Sequence, residues 1–370
     1  MKNLSLLFCV IFFSGYFICQ PQERKEIGYQ ILDLEKNYNF NVKNSIYDSL
    51  DAIISRAELL IKPIISNKIS KIDAINILNK ISWSLKSYGY KKEINKVLFY
   101  KAIQDKTLEC DSYCFLYLSI AERLKLPLYI IIAPFHSIIL WDDGDDKIYW
   151  ETTIDAVLDI NIYKNTLNID EKSIANGVYL KKLSTQEILG MIYNNIGYTK
   201  ANNKGGKNDV LNTFNKGIII YPKSAELFFN RGTFQIDIGN DESGIEDLKK
   251  AIELFPNYYD AYKNIGATLS NRGDNKDAIL YYNKAVEIKS DFPEAYTERG
   301  LERCKLMNFQ GGLEDFNKAI ELDPSFALAY FYRGGMYYDL KDFQKACKDW
   351  EMAYKLGNQM AYQYFLQICK

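Results

Sequence analysis

Four glycines set the frame for this chain. Gly232, Gly266, Gly300 and Gly334 recur every 34 residues, and an aromatic stands four residues before each: Phe228, Tyr262, Tyr296 and Tyr330. Ala251, Ala285, Ala319 and Ala353 keep the same step, as do Leu248, Tyr282, Phe316 and Trp350. Pro256 and Pro324 close two of the units. A period of this length accommodates one helix, a turn and a second helix. The small residues let the paired helices approach, and the aromatics fill the space between them. One such pair cannot bury its apolar face alone, so neighbouring units must stack. A weaker unit precedes these from Glu187 to Pro222, with Gly197 and Phe214 in place and an extra residue or so around Gly205 and Gly206.

The repeats also report an internal contact. Arg231, Arg299 and Arg333 share one position, and Asp247, Asp315 and Asp349 each follow 16 residues later. In the unit between the first two, both change together, to Ile265 and Tyr281. Joint replacement of a charge pair by an apolar pair implies that the two positions touch across the helix pair. Such ion pairs are expected half-exposed, worth no more than ~1 kcal/mol each. The pattern resembles the tetratricopeptide repeat, which implies an all-α solenoid over residues 186–370 and a protein or peptide partner. By repeat position the inner face would carry Phe229, Asn230, Lys263, Asn264, Thr297, Glu298, Phe331 and Tyr332. The segment from Gln359 to Ile368 reads as a solvating cap helix.

Ahead of the repeats the periodicity changes. Residues 45–61, 71–88 and 110–125 each carry apolar side chains at helical spacing. Three β-rich runs follow, PLYIIIA, FHSIILW and KIYWETT, with a hairpin turn at Asp142-Asp143-Gly144-Asp145. The result is an α+β domain over residues 20–185. At the start, Lys2 and the apolar run from Leu4 to Ile18 read as a signal peptide or anchor over residues 1–19, too short to span a bilayer at ~20 residues. Cys19 is a candidate lipidation site, with bulky Ile18 before it. Export to the periplasm or cell envelope is expected, with any membrane contact made through this segment alone. The net charge of −1 argues against nucleic acid as a partner. The five cysteines beyond the leader are odd in number and irregularly spaced, so no disulfide framework is expected.

The chain has one histidine, His136, which excludes any site built on two imidazoles. A turn centred on Asp143-Gly144 sets His136 directly across from Glu151, where a carboxylate can orient the ring. Cys110 opens the third helix, whose positive end favours a thiolate and can hold an oxyanion. Gln104 is a candidate second donor to that oxyanion. Cys110, Cys114 and His136 would make three zinc ligands and lack a fourth, so no metal or other cofactor is expected.

The stretch CDSYCFLYLSIAERLKLP resembles the nucleophile helix of the transglutaminase-like superfamily, which shares its core with papain-like enzymes. In that family a cysteine opens a helix, an aromatic comes third and a small residue fourth, here Cys110, Tyr113 and Cys114, with Pro127 seventeen residues on. A histidine beginning a strand and an acid on the next strand follow, here His136 and Glu151. Glu109 stands where that family has Gly. The resemblance implies a transglutaminase-like fold for the α+β domain and a Cys110–His136–Glu151 triad. Two functions follow as expectations. One is an exported cysteine-dependent acyl-transfer enzyme, peptidase, amidase or transglutaminase-like, whose repeats recruit protein substrates. The alternative is a non-catalytic interaction scaffold with a degenerate domain of that kind.

Overall fold

A computed structural model describes residues 9–11, 17–19, 26–66, 68–92 and 98–369. The expected leader lies largely outside them. The chain forms two compact units, one through Pro222 and one from Lys223 onward. The first therefore includes the weak helical repeat that the sequence groups with the solenoid.

The first unit is assembled around one buried helix. Its opening helices are α1 (Ile27–Asn37), α2 (Asn44–Ile61), α3 (Lys71–Ser87), α4 (Phe99–Asp105) and α5 (Cys110–Leu124). Every residue of α5 from Ser112 to Ala121 is buried. Helices α1 and α2 pack on α5, as do the first two strands of the sheet. Gly28 lets α1 come close: its N–H donates to Ser119 Oγ at 3.0 Å, and a Cβ there would sit 2.6 Å from that oxygen. Helix α4 is held by Glu35 of α1. One carboxylate oxygen accepts the Phe99 N–H at 2.6 Å and the other accepts that of Tyr100 at 2.8 Å.

The sheet is antiparallel, in the order β1 (Leu128–Ala133), β2 (His136–Asp142), β3 (Lys147–Glu151) and β4 (Ala156–Val157). Strand β1 is apolar at nearly every position because both faces of the sheet are covered. Helix α5 lies on one face. On the other, Tyr163 of α6 (Ile160–Thr166) packs with Ile131, Ile138 and Leu140. Trp150 of β3 donates its indole N–H to the Tyr117 hydroxyl of α5 at 3.2 Å, tying sheet to helix.

The hairpin differs from the expected two-residue turn. Ile139 pairs with Trp150 and Asp142 with Lys147, so the ladder is displaced by two residues and the loop is Asp143–Asp146. Asp143 explains it: its Oδ1 accepts the N–H groups of Asp145 and Asp146 at 3.1 and 2.9 Å, closing a wider loop. A shift of one residue would have turned His136 to the other face; a shift of two preserves the face.

A short helix α7 (Glu171–Ala175) leads to α8 (Thr185–Asn202) and α9 (Lys207–Ile220). Helix α8 opens with a capping box between Ser184 and Glu187.

The second unit is all-α. It stacks the pairs α10 (Ala225–Asp237) and α11 (Asp241–Leu254), α12 (Tyr259–Arg272) and α13 (Asn275–Ile288), α14 (Pro293–Lys305) and α15 (Phe309–Leu322), α16 (Ala327–Asp339) and α17 (Phe343–Lys355), then α18 (Gln359–Ile368). The periodic glycines mark contact points. A Cβ on Gly300 would lie 2.9 Å from the Phe316 ring and 3.1 Å from the Gly312 carbonyl oxygen. The paired charges meet as the sequence implies. Arg231–Asp247 and Arg299–Asp315 close at 2.6 Å and Arg333–Asp349 at 2.7 Å. They are more deeply buried than expected, since the Arg299 and Asp315 side chains are 12% and 4% exposed. Ile265, which takes the arginine position in the exceptional unit, is fully buried.

The C-terminal end adds one bond that the cysteine spacing does not indicate. Cys347 and Cys369 form a disulfide, because the chain after α17 turns back through α18 and returns the second sulfur to the first. Spacing along the chain does not reveal that return. Helix α18 packs on Trp350 and Ala353 of α17, carries no charged residue and leaves Met360 and Tyr364 exposed beside Gln359, Gln363 and Gln367.

Candidate functional site

The first candidate surface belongs to the second unit. The first helix of each pair contacts the corresponding helix of the next, so α10, α12, α14 and α16 form one continuous face. Side chains bridge them: Asn264 donates to Thr233 Oγ1 at 3.2 Å and Ser270 donates to Glu302 at 2.7 Å. Of the residues expected on this face, Phe229, Asn230, Lys263, Asn264, Glu298, Phe331 and Tyr332 are partly exposed. Thr297 is the exception. It is 1% exposed and its hydroxyl donates to the Pro293 carbonyl within its own helix, so it is withdrawn from the surface. The aromatics are braced. Phe229 stacks on Tyr258 with centroids 4.7 Å apart, and Tyr332 stacks on Phe316 at 6.2 Å.

The sequence missed Glu302 of α14. It is fully buried, and its side chain takes the Ser270 hydroxyl and the Lys305 ammonium, both on one oxygen. A charged residue in a helix interior reads as a solvated position, and only the neighbouring α12 makes it otherwise.

The second candidate site lies where α5 meets β2. Glu109 is extended and its carbonyl accepts the Tyr113 N–H at 2.9 Å, which starts α5 at Cys110. Ser137, next to His136, donates its hydroxyl to Asp111 at 2.5 Å, and its backbone N–H faces the Cys110 thiol. The thiol thus meets the strand beside the imidazole. His136 Nε2 lies 2.5 Å from Glu151 Oε2, a diagonal contact in the displaced register. This leaves Nδ1 as the ring nitrogen not engaged by Glu151. Thr153 donates both its N–H and its hydroxyl to the other oxygen of Glu151, at 2.9 and 2.7 Å.

The electrostatics of this site divide. Burial works against ionisation of Glu151, yet the hydrogen bond and charge of His136 together with Thr153 outweigh it, and the carboxyl is held below its usual range. Cys110 goes the other way. Burial pushes its thiol up, the Asp111 charge adds to this, and the Ser137 N–H offsets only part of it. The helix dipole expected to favour a thiolate is overridden by desolvation and two carboxylates, Asp111 and Glu109.

Gln104 does not join this site. It is exposed and donates to its neighbour Asp105 at 3.3 Å, because α4 ends in a left-handed turn at Lys106 that leaves its last residues facing solvent. Tyr163 does join it, and no local signal marks it. Its ring lies 6.2 Å from that of His136, and its buried hydroxyl has no hydrogen-bond partner among the described residues. No group of three His, Cys, Asp or Glu side chains among the described residues is placed to hold a metal ion. No helix among them is long and apolar enough to cross a membrane.

Residues 225–258, 248–279 and 297–361 match family models of the tetratricopeptide repeat. The C-terminal region is therefore an array of these repeats, an all-α solenoid, preceded by a region that mixes helices with strands. No curated protein matches the chain. Among solved structures, a crystal structure of MamA is 24% identical, covers 45% of this chain and 97% of its own, and has a TM-score of 0.40. MamA from Desulfovibrio magneticus RS-1 is 21% identical over 45% of this chain and 94% of its own, with a TM-score of 0.41. PilF of Pseudomonas aeruginosa is 15% identical over 48% of this chain and 80% of its own, with a TM-score of 0.44.

Proposed function

We propose that this protein is an interaction scaffold whose repeat array binds an extended segment of a partner protein on the face formed by α10, α12, α14 and α16. One observation carries this. The internal ion pairs of the repeats take up Arg299, Asp315 and their counterparts, while Phe229, Asn230, Lys263, Asn264, Glu298, Phe331 and Tyr332, which repeat position assigns to that face, are partly exposed on α10, α12, α14 and α16. A row of braced aromatics and amides on stacked helices supports a peptide-binding reading, since solenoids use such extended surfaces to bind partners. The test is hydrogen exchange on the full chain with peptides selected from a displayed octapeptide library. Bound peptide should slow exchange in α10, α12, α14 and α16 and leave α11, α13 and α15 unchanged. Selection of no binder, or protection confined to the second helices, would overturn the reading.

The Cys347–Cys369 disulfide supports placing the protein in an oxidising compartment, in line with export directed by residues 1–19 as a signal peptide or anchor. A second reading keeps the first unit as a transglutaminase-like domain with acyl-transfer chemistry. It is favoured by the His136–Glu151 contact with Cys110 at the adjoining helix start. Cys110 would attack an acyl carbonyl and form a thioester, His136 would take the thiol proton and give it to the departing amine, Glu151 would orient the ring, and water or an amine would then take the acyl group from the sulfur. Labelling with an electrophilic acyl probe near neutral pH tests it. Modification that vanishes in Cys110→Ala and drops in His136→Ala supports turnover chemistry, whereas labelling confined to Cys304 removes it.

A further inference from the structure

The middle of the repeat face contains an unusual pair of acids. Glu298 and Glu302 lie four residues apart on α14, on one side of the helix. Glu298 accepts the hydroxyl of Tyr282 at 3.1 Å. Glu302 is fully buried, which a carboxylate tolerates only when its lone pairs are answered. One oxygen is answered twice, by Ser270 at 2.7 Å and Lys305 at 2.6 Å. The other, Oε2, is buried and has no hydrogen-bond partner among the described residues. Among the described residues Lys305 is the one cation bonded to Glu302 and none is bonded to Glu298, so the pair carries one ammonium for two carboxylates and one acceptor stays unmet. Burial raises the Tyr332 hydroxyl of α16 and the nearby Glu298 charge adds to this, while its ring is held by stacking on Phe316.

An unmet acceptor one helical turn from a second carboxylate matches a flat, multiply donating cation. We propose that Glu298 and Glu302, with Tyr332 beside them, form an anchor for an arginine or lysine side chain of the bound peptide. The cation would reach the partly exposed Glu298 first and then replace the Lys305 ammonium as it satisfies Glu302. The guanidinium of arginine can serve both carboxylates at once, so arginine should be preferred to lysine. This rests on the peptide-binding reading above and gives that reading a substrate class.

The test uses the full chain and the octapeptide library. Selected binders should be enriched in arginine or lysine at one position. Replacing that arginine by citrulline, which keeps the shape and removes the charge, should weaken binding about tenfold or more. Glu298→Gln should erase most of the difference between the two peptides. Glu302→Gln should do the same, and Glu298→Gln carries the test if Glu302→Gln lowers the melting temperature. Binders without basic enrichment, or equal affinity for the arginine and citrulline peptides, would overturn the anchor. In that event, protection of the same face would leave the scaffold reading standing. Selection of no binder would remove both.

Discussion

The buried ion pair between α14 and α15 offers a sharp test of how the repeats hold together. Arg299 donates twice to Asp315, at 3.0 and 2.6 Å, and once to Asn283 at 2.8 Å. Arg303 adds a second cation to Asp315 at 2.9 Å. With Asp315 only 4% exposed and Arg299 only 12%, neither charge has water to fall back on. Asp315→Ala strands two guanidinium groups and should cost about 3 kcal/mol or more. Arg299→Ala leaves Arg303 on the carboxylate and should cost less, roughly half of that. The decisive variant copies the protein's own exception. In an Arg303→Leu parent, Arg299→Ile with Asp315→Tyr reproduces Ile265, Leu269 and Tyr281, and Tyr296 stands where Tyr262 packs against Tyr281. Replacing a buried ion pair by packed apolar groups is often near neutral, so this double variant should lie within about 1 kcal/mol of the parent. Native-state hydrogen exchange in α14 and α15 reads the local opening energy, where 3 kcal/mol is roughly a 150-fold acceleration. A double variant as damaged as the sum of its parts would refute the idea that the two solutions are interchangeable. A single Asp315→Ala costing under about 1 kcal/mol would refute the burial argument itself.

Three further outcomes are expected. Because burial and the Asp111 and Glu109 charges raise the Cys110 thiol, its alkylation by iodoacetamide should climb about tenfold per pH unit from pH 7 to 9; a rate already flat by pH 7 would instead mean a thiolate–imidazolium pair. Burial pushes Glu35 up to about 8 from 4.5, so the folded chain keeps a proton that the unfolded chain has lost. Stability should therefore fall as pH rises between those values, by at most ~1.4 kcal/mol per unit, and urea midpoints of Glu35→Gln should lose that slope. Reduction of Cys347–Cys369, or Cys347→Ser, should loosen α18 by up to about 3 kcal/mol while leaving exchange in α12 and α13 untouched; unchanged protection of α18 would show that packing on Trp350 and Ala353 suffices alone.

The solenoid was legible in the chain because its contacts recur. Gly300 meets Phe316 across one helix pair, and the same step in number finds Gly334 against Trp350. Repetition turns a tertiary contact into a period, and joint change at Ile265 and Tyr281 exposed even the Arg–Asp pairing. What escaped lies where repetition stops. The Cys347–Cys369 bond depends on the chain's return through α18, which no other unit has. The burial of Glu302 depends on Ser270 of the preceding helix, at a position where the other units carry Phe234, Thr268 and Met336.

The site at α5 shows a different limit. Its order, cysteine on a helix start, histidine on a strand, acid on the next, is visible along the chain, and the contact of His136 with Glu151 survives a displaced register because a shift of two residues keeps both on one face. The ionisation of Cys110 is not visible in that way. It is a balance between the helix start, the Ser137 N–H, the carboxylates of Asp111 and Glu109, and the depth of burial, and the last of these is set by packing from distant elements. Tyr163 belongs to the same class: it stands 27 residues beyond His136 with no motif around it, and only the fold of α6 over the sheet brings its ring to the imidazole. Backbone order can therefore preserve the outline of a triad while the surrounding side chains decide whether its sulfur is a nucleophile or a buried neutral thiol. In this chain burial and the carboxylates around Cys110 favour the neutral thiol.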